Sequence, residues 1–85
     1  MTLTELASQM RNSSKAIERL NIKQYNWWNE GLHGVARAGV ATVFPQAICM
    51  ASTFDEKAVK KCADIIATEV RAKFNESQKN EDYSI

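Results

Sequence analysis

Three side-chain types that can handle a polyol sit within seven residues of this chain: Trp27, Trp28, Glu30 and His33. Sugars present C–H faces that pack on aromatic rings, and hydroxyls that a carboxylate can accept. A charged acceptor makes the stronger bond, about 1.5–3 kcal/mol. An imidazole nearby can donate or accept. Residue types alone therefore point to a carbohydrate site. The same residues also have a plain structural reading. Adjacent tryptophans serve cores and interfaces, and a histidine between glycines serves as a loop hydrogen-bonder.

Other chemistries fit less well. Glu30 and His33 have the E-x-x-H spacing of di-iron bundles, but that motif needs a second copy and two more glutamates on helices. Gly31 and Gly34 argue against a helix at this point. A single histidine with no paired cysteines gives no zinc set. GLHGVARAG is neither G-x-G-x-x-G nor a P-loop, and no G-x-S-x-G elbow occurs. Cys49 and Cys62 have no ligand spacing and read as free thiols.

The elements that must position these residues belong to a small chain. Its 85 residues allow one domain at most, marginally stable by its own core. Hydrophobic residues make up 45% and charged residues 25%, and net charge is +1. That balance supplies no basic footprint for nucleic acid and no membrane-surface argument. Lys57, Lys60 and Lys61 cluster, but Glu56 and Asp64 flank them, so they read as a solvated helix face. No run approaches the ~18 apolar residues of a membrane span, and the N-terminus lacks the apolar core of a signal peptide.

Residues 2–20 read as helical. Thr2 and Glu5 have capping-box spacing, and Leu3, Leu6, Ala7 and Met10 form one stripe. Asn12, Ser13 and Ser14 interrupt it, and a second short helix or turn follows over Ala16, Ile17 and Leu20. Periodicity fades over 21–53. Tyr25 to Trp28 suit a strand, and Ala41 to Phe44 suit another stopped by Pro45. The principal amphipathic helix is expected over 54–76, opened by a capping box of Thr53 and Glu56. Its stripe is Val59, Ala63, Ile66, Val70 and Phe74. Burying those five side chains would contribute roughly 8–12 kcal/mol, opposed by ordering entropy. The tail NESQKNEDYSI reads as a loop.

The order of residues is more specific than their types. YNWWNEGLHGVA, ATVFPQAI and ASTFD, in this order and spacing, resemble blocks in the N-terminal part of glycoside hydrolase family 3, most closely its β-xylosidase branch. MTLTELASQM and EVRAKFNE resemble flanking blocks, so the likeness spans nearly all of 1–85. Gly31 stands where the family usually has alanine, Cys49 where glycine is common, and Leu6 where lysine is usual.

The resemblance implies an α/β chain: the first strand or strands and helices of a TIM-type (β/α)8 barrel, helix-rich as an isolated piece. A full barrel needs about 250 residues. It implies a retaining exo-β-glycosidase acting on a β-linked oligosaccharide, a xyloside or a glucoside, with no cofactor and neither nucleic-acid nor membrane partners. The family's aspartate nucleophile and glutamate acid/base lie in regions beyond this sequence, so the chain alone is expected to be inactive. Glu30 matches the acidic residue at the end of the first barrel strand, which contacts sugar hydroxyls. Trp28 is the candidate wall of the same subsite, and His33 is expected to fix the loop through a hydrogen bond. The glucosidase branch usually has aspartate at the Glu30 position, so the longer glutamate is expected to favour pentoses over hexoses. Met1 matches an internal methionine of the family pattern, and Ile85 falls inside the barrel, which fits a partial sequence. The alternative is a free-standing small helical carbohydrate-binding or interaction module.

Overall fold

The computed structural model describes all 85 residues, Met1–Ile85. Helix α1 spans Leu3–Gln9 and opens with the expected capping box. Thr2 N–H donates to Glu5 Oε2 at 2.6 Å, and Glu5 N–H donates to Thr2 Oγ1 at 3.2 Å. Two first-turn donors are thereby satisfied reciprocally. The helix is shorter than the expected 2–20 because Met10 closes it.

A tight antiparallel unit follows. Strand β1 (Ser13–Ser14) pairs with β2 (Tyr25–Asn26), Ser13 opposite Asn26 and Ser14 opposite Tyr25. Ile17 and Ile22 form a further bridge, enclosing a 3-10 turn at Glu18–Leu20. Asn21 reverses the chain at φ 54°, a left-handed position that asparagine tolerates well. This unit holds the one buried hydrophobic side chain, Ile17, and the buried Ser14, whose hydroxyl donates to the Tyr25 carbonyl at 3.2 Å.

The expected strand at 41–44 does not form. No neighbouring strand lies beside it, and a ladder needs a partner. Its polar groups bond elsewhere: Thr42 N–H to the Glu69 carboxylate, and Phe44 N–H to the His33 carbonyl. Beyond Pro45, α2 occupies Ala47–Ala51.

Helix α3 spans Glu56–Lys79, so it starts two residues later than expected and takes in part of the tail expected to be a loop. Its N-cap is Asp55, not Thr53. Asp55 Oδ1 accepts from Ala58 N–H at 3.0 Å, while Thr53 Oγ1 donates back to the Met50 carbonyl at 2.7 Å. The Thr53 oxygen accepts the Asp55 N–H at 3.2 Å, two residues on, so the helix that follows takes its cap from Asp55. At the other end, Ser77 is buried, its carbonyl accepting Asp82 N–H at 2.9 Å.

The apolar stripe of α3 is only partly covered. Ile66, Val70 and Phe74 are half-buried, and Val59 and Ala63 are exposed. Elsewhere Leu3, Val40 and Phe54 stand 84%, 94% and 95% exposed. The chain exposes 6778 Å², against about 5,100 Å² for a compact monomer of 9.6 kDa. Its radius of gyration is 16.4 Å, where a compact chain of this length would have about 12 Å. The stabilisation expected from burying the stripe is therefore not realised within these 85 residues. The molecule is helix-rich, and its single strand pair is antiparallel.

Candidate functional site

The stretch from Tyr25 to Phe44 is held by specific bonds at both ends and across its turn. Trp27 N–H donates to the Asn12 carbonyl at 2.6 Å, continuing the path of the strand pair. The Trp27 ring lies 4.6 Å from the Tyr25 ring, and Tyr25 lies 5.7 Å from Phe74 of α3. These tilted pairs tie the stretch to the long helix in the geometry that ring quadrupoles favour. Asn26 turns the chain: its Oδ1 accepts Trp28 N–H at 3.0 Å, and Asn29 Nδ2 donates to its carbonyl at 3.1 Å.

Trp28 is half-exposed, and the Arg37 guanidinium stands 5.5 Å over its ring, a cation–π arrangement. Arg37 itself is left-handed at φ 62° and makes no ion pair. Trp28 and Arg37 line an open groove of about 580 Å³ together with Asn26, Asn29, Tyr83 and Ser84. Glu30 does not line this groove. Its carboxylate is exposed and hydrogen-bonds to no protein group. The structure thus places the two expected sugar contacts two residues apart in sequence without bringing them to one cavity.

The backbone around Glu30 is fixed even though its carboxylate is free. The Glu30 carbonyl accepts Ala36 N–H at 3.0 Å, closing a 30–36 turn. Inside it, Gly31 packs against α3, where an added Cβ would lie 3.2 Å from Ile66 Cγ2. Glycine at this position thus lets the backbone approach the helix closely. Gly34 sits at φ 129°, and a Cβ there would lie 2.4 Å from the Thr42 carbonyl oxygen. No other residue fits that contact.

His33 has the structural role expected of it. Its Nδ1 lies 3.0 Å from the Phe44 carbonyl oxygen, and Phe44 N–H returns to the His33 carbonyl at 2.8 Å. A carbonyl only accepts, so Nδ1 carries the hydrogen. In neutral imidazole that leaves Nε2 as an acceptor.

Three residues that hold or cover this stretch had no sequence signal of their own. Glu69 accepts from both the backbone N–H and the hydroxyl of Thr42, Lys73 donates to the Val40 carbonyl at 2.7 Å, and Arg37 covers Trp28. Helical periodicity marks Glu69 and Lys73 only as polar positions. Their partners lie 27 and 33 residues away. The two cysteines are free, Cys49 exposed and Cys62 half-buried.

No family model and no solved structure matches the chain. Curated proteins do. The chain is 45% identical over 75 residues to "Xylan 1,4-beta-xylosidase" of Xylanibacter ruminicola, a match covering 88% of this chain and 9% of that protein. It is 39% identical over 90 residues to "Probable beta-D-xylosidase 7" of Arabidopsis thaliana, covering 94% and 12%. A protein of Aspergillus flavus named as an exo-1,4-beta-xylosidase is 40% identical over 94 residues, covering 98% and 12%. The chain spans about a tenth of the length of these relatives. Over that short region it is related in sequence to β-xylosidases.

Proposed function

We propose that this chain supplies the first strand and helices of the catalytic barrel of a family 3 exo-β-glycosidase, with xylosides as substrates of the complete enzyme. The observation that carries this reading is the 37–45% identity to proteins named as xylosidases across nearly the whole chain, the Trp28–Glu30 stretch included. The surface supports it too. A chain that leaves roughly 1,700 Å² more exposed than a compact monomer of its mass has apolar faces for further polypeptide to cover. The same excess counts against a free-standing binding module.

Within this reading, Glu30 accepts hydroxyls of the terminal sugar. Its freedom from protein partners leaves both oxygens for that task. Trp28 offers a ring face at the rim of the same region. On this reading the nucleophile and acid/base carboxylates of the complete enzyme lie in further polypeptide, so the 85 residues alone are expected to be inactive.

A chimera tests the proposal. The matched segment of the Xylanibacter relative is replaced by this chain, and hydrolysis of an aryl β-xyloside is measured. The unmutated chimera should retain activity, and Glu30→Gln should lower kcat/KM about 10- to 100-fold, the worth of one charged hydrogen bond. Glu30→Asp should move the xyloside-to-glucoside ratio toward glucoside. A folded chimera without activity, or a Glu30→Gln variant with full activity, rejects the reading. Hydrolysis by the purified 85-residue chain would reject its inactivity.

A further inference from the structure

Glu69 and Lys73 are spaced i,i+4 with the acid first, the arrangement that ordinarily ion-pairs along a helix. Here they do not pair with each other, and neither belongs to any salt bridge. Both turn to the same extended segment instead. Glu69 Oε2 accepts Thr42 N–H at 3.1 Å, and its Oε1 accepts the Thr42 hydroxyl. Lys73 Nζ donates to the Val40 carbonyl at 2.7 Å. The other side of that segment carries the 30–36 turn. The Thr42 carbonyl fills the space where Gly34 lacks a Cβ, and Phe44 is doubly bonded to His33.

We propose that Glu69 and Lys73 are positioning residues for the turn that bears Glu30: they seat segment 40–42 on α3, and that segment holds the turn through Gly34 and His33. Side-chain bonds do here what a strand ladder does elsewhere. They supply a partner for an extended segment that has no neighbouring strand. Bonds to a charged group are the stronger kind, so the anchor is Glu69, with Lys73 fixing the segment one turn further along. The role in substrate binding rests on the reading of Glu30 given above; the clamp itself does not.

Amide hydrogen exchange and ring-nitrogen NMR on the full 85-residue chain test it. Glu69→Gln keeps the side chain's length but replaces one acceptor oxygen with an NH2 group. It should speed exchange at Thr42 about 10-fold or more and at Ala36 to a lesser degree, and should shift the His33 Nδ1 signal. Protection at Val70 within α3 should stay as in the wild type. Lys73→Met, which keeps the aliphatic stem, should show a smaller change centred on Thr42. If α3 stays protected while Thr42, Ala36 and His33 read as wild type in Glu69→Gln, the clamp is wrong. A wild-type Thr42 amide exchanging at the unstructured rate also overturns it. In the chimera, an impaired Glu30→Gln beside a fully active Glu69→Gln overturns the positioning role. A fully active Glu30→Gln rejects the reading of Glu30, and the exchange result still decides the clamp.

Discussion

Residues 1–26 and the long helix α3 show opposite solutions to the same shortage of core. The N-terminal part closes on itself with local polar bonds: the Thr2–Glu5 capping box, the Glu5–Arg19 ion pair and the β1–β2 pair around Ile17. Helix α3 has the stronger apolar stripe but closes on little. It meets the 30–36 turn at Ile66 and Tyr25 at Phe74. Short-range bonds complete themselves inside 85 residues, whereas the apolar stripe of the 24-residue helix stays largely uncovered.

The comparison predicts unequal costs for like substitutions. Ile17→Ala should destabilise the N-terminal unit by about 2–4 kcal/mol, because the side chain is buried and its loss leaves a cavity. Val59→Ala on α3 should cost less than about 1 kcal/mol, since Val59 is 36% exposed. Chemical denaturation followed at Ile22 and Ala63 amides separates the two. Equal costs would mean that α3 is covered in solution by something that shields its face, a second copy included, and would break the contrast.

The next effect concerns the start of α3. Asp55→Ala should cost about 1 kcal/mol and fray the first turn, seen as lost helical signal at Lys57 and Ala58. Thr53→Ala should leave those signals in place, since the Thr53 hydroxyl bonds the Met50 carbonyl and the Asp55 N–H but no N–H within the helix. The reverse outcome would restore the Thr53–Glu56 capping box that the spacing predicts.

These cases show what a sequence makes legible. The Thr2–Glu5 box was readable because both partners lie within one turn. The α3 stripe was readable because periodicity is local, although its extent was not: Asp55 and Thr53 both offer cap chemistry, and only the path of the preceding turn chooses between them. His33 as a loop fastener followed from its glycine neighbours. The clamp from Glu69 to Thr42 did not, because nothing in a linear chain pairs positions 27 apart. The strand expected at 41–44 failed for a related reason. Propensity describes a residue's fit to a sheet, and the sheet has to be present. Residue types bring Glu30 and Trp28 to notice and residue order gives them roles, and the structure adds that their side chains do not share a cavity.

The smallest effect is a pH dependence confined to the N-terminal part. Glu5 is held down to about 2 from an ordinary 4.5, first by its hydrogen bonds to the Arg19 guanidinium and then by the Thr2 N–H. Arg19 is raised in turn by Glu5. A carboxylate whose folded pKa is depressed stabilises the fold fully above its unfolded value, and that contribution drains away as pH falls through the folded one. Protection of the α1 amides should therefore be constant above about pH 5 and decline between 4.5 and about 2. In Arg19→Met the plateau should be lower and the acid decline shallower, because the folded pKa of Glu5 moves back toward its unfolded value. Water and salt reach this pair, so raised ionic strength should narrow the gap between wild type and variant. Over the same range, protection of Thr42 should not follow Glu5, which lies outside its bonds. A single acid transition shared by both regions would show that the two halves unfold as one unit and that their contrast is local, not energetic.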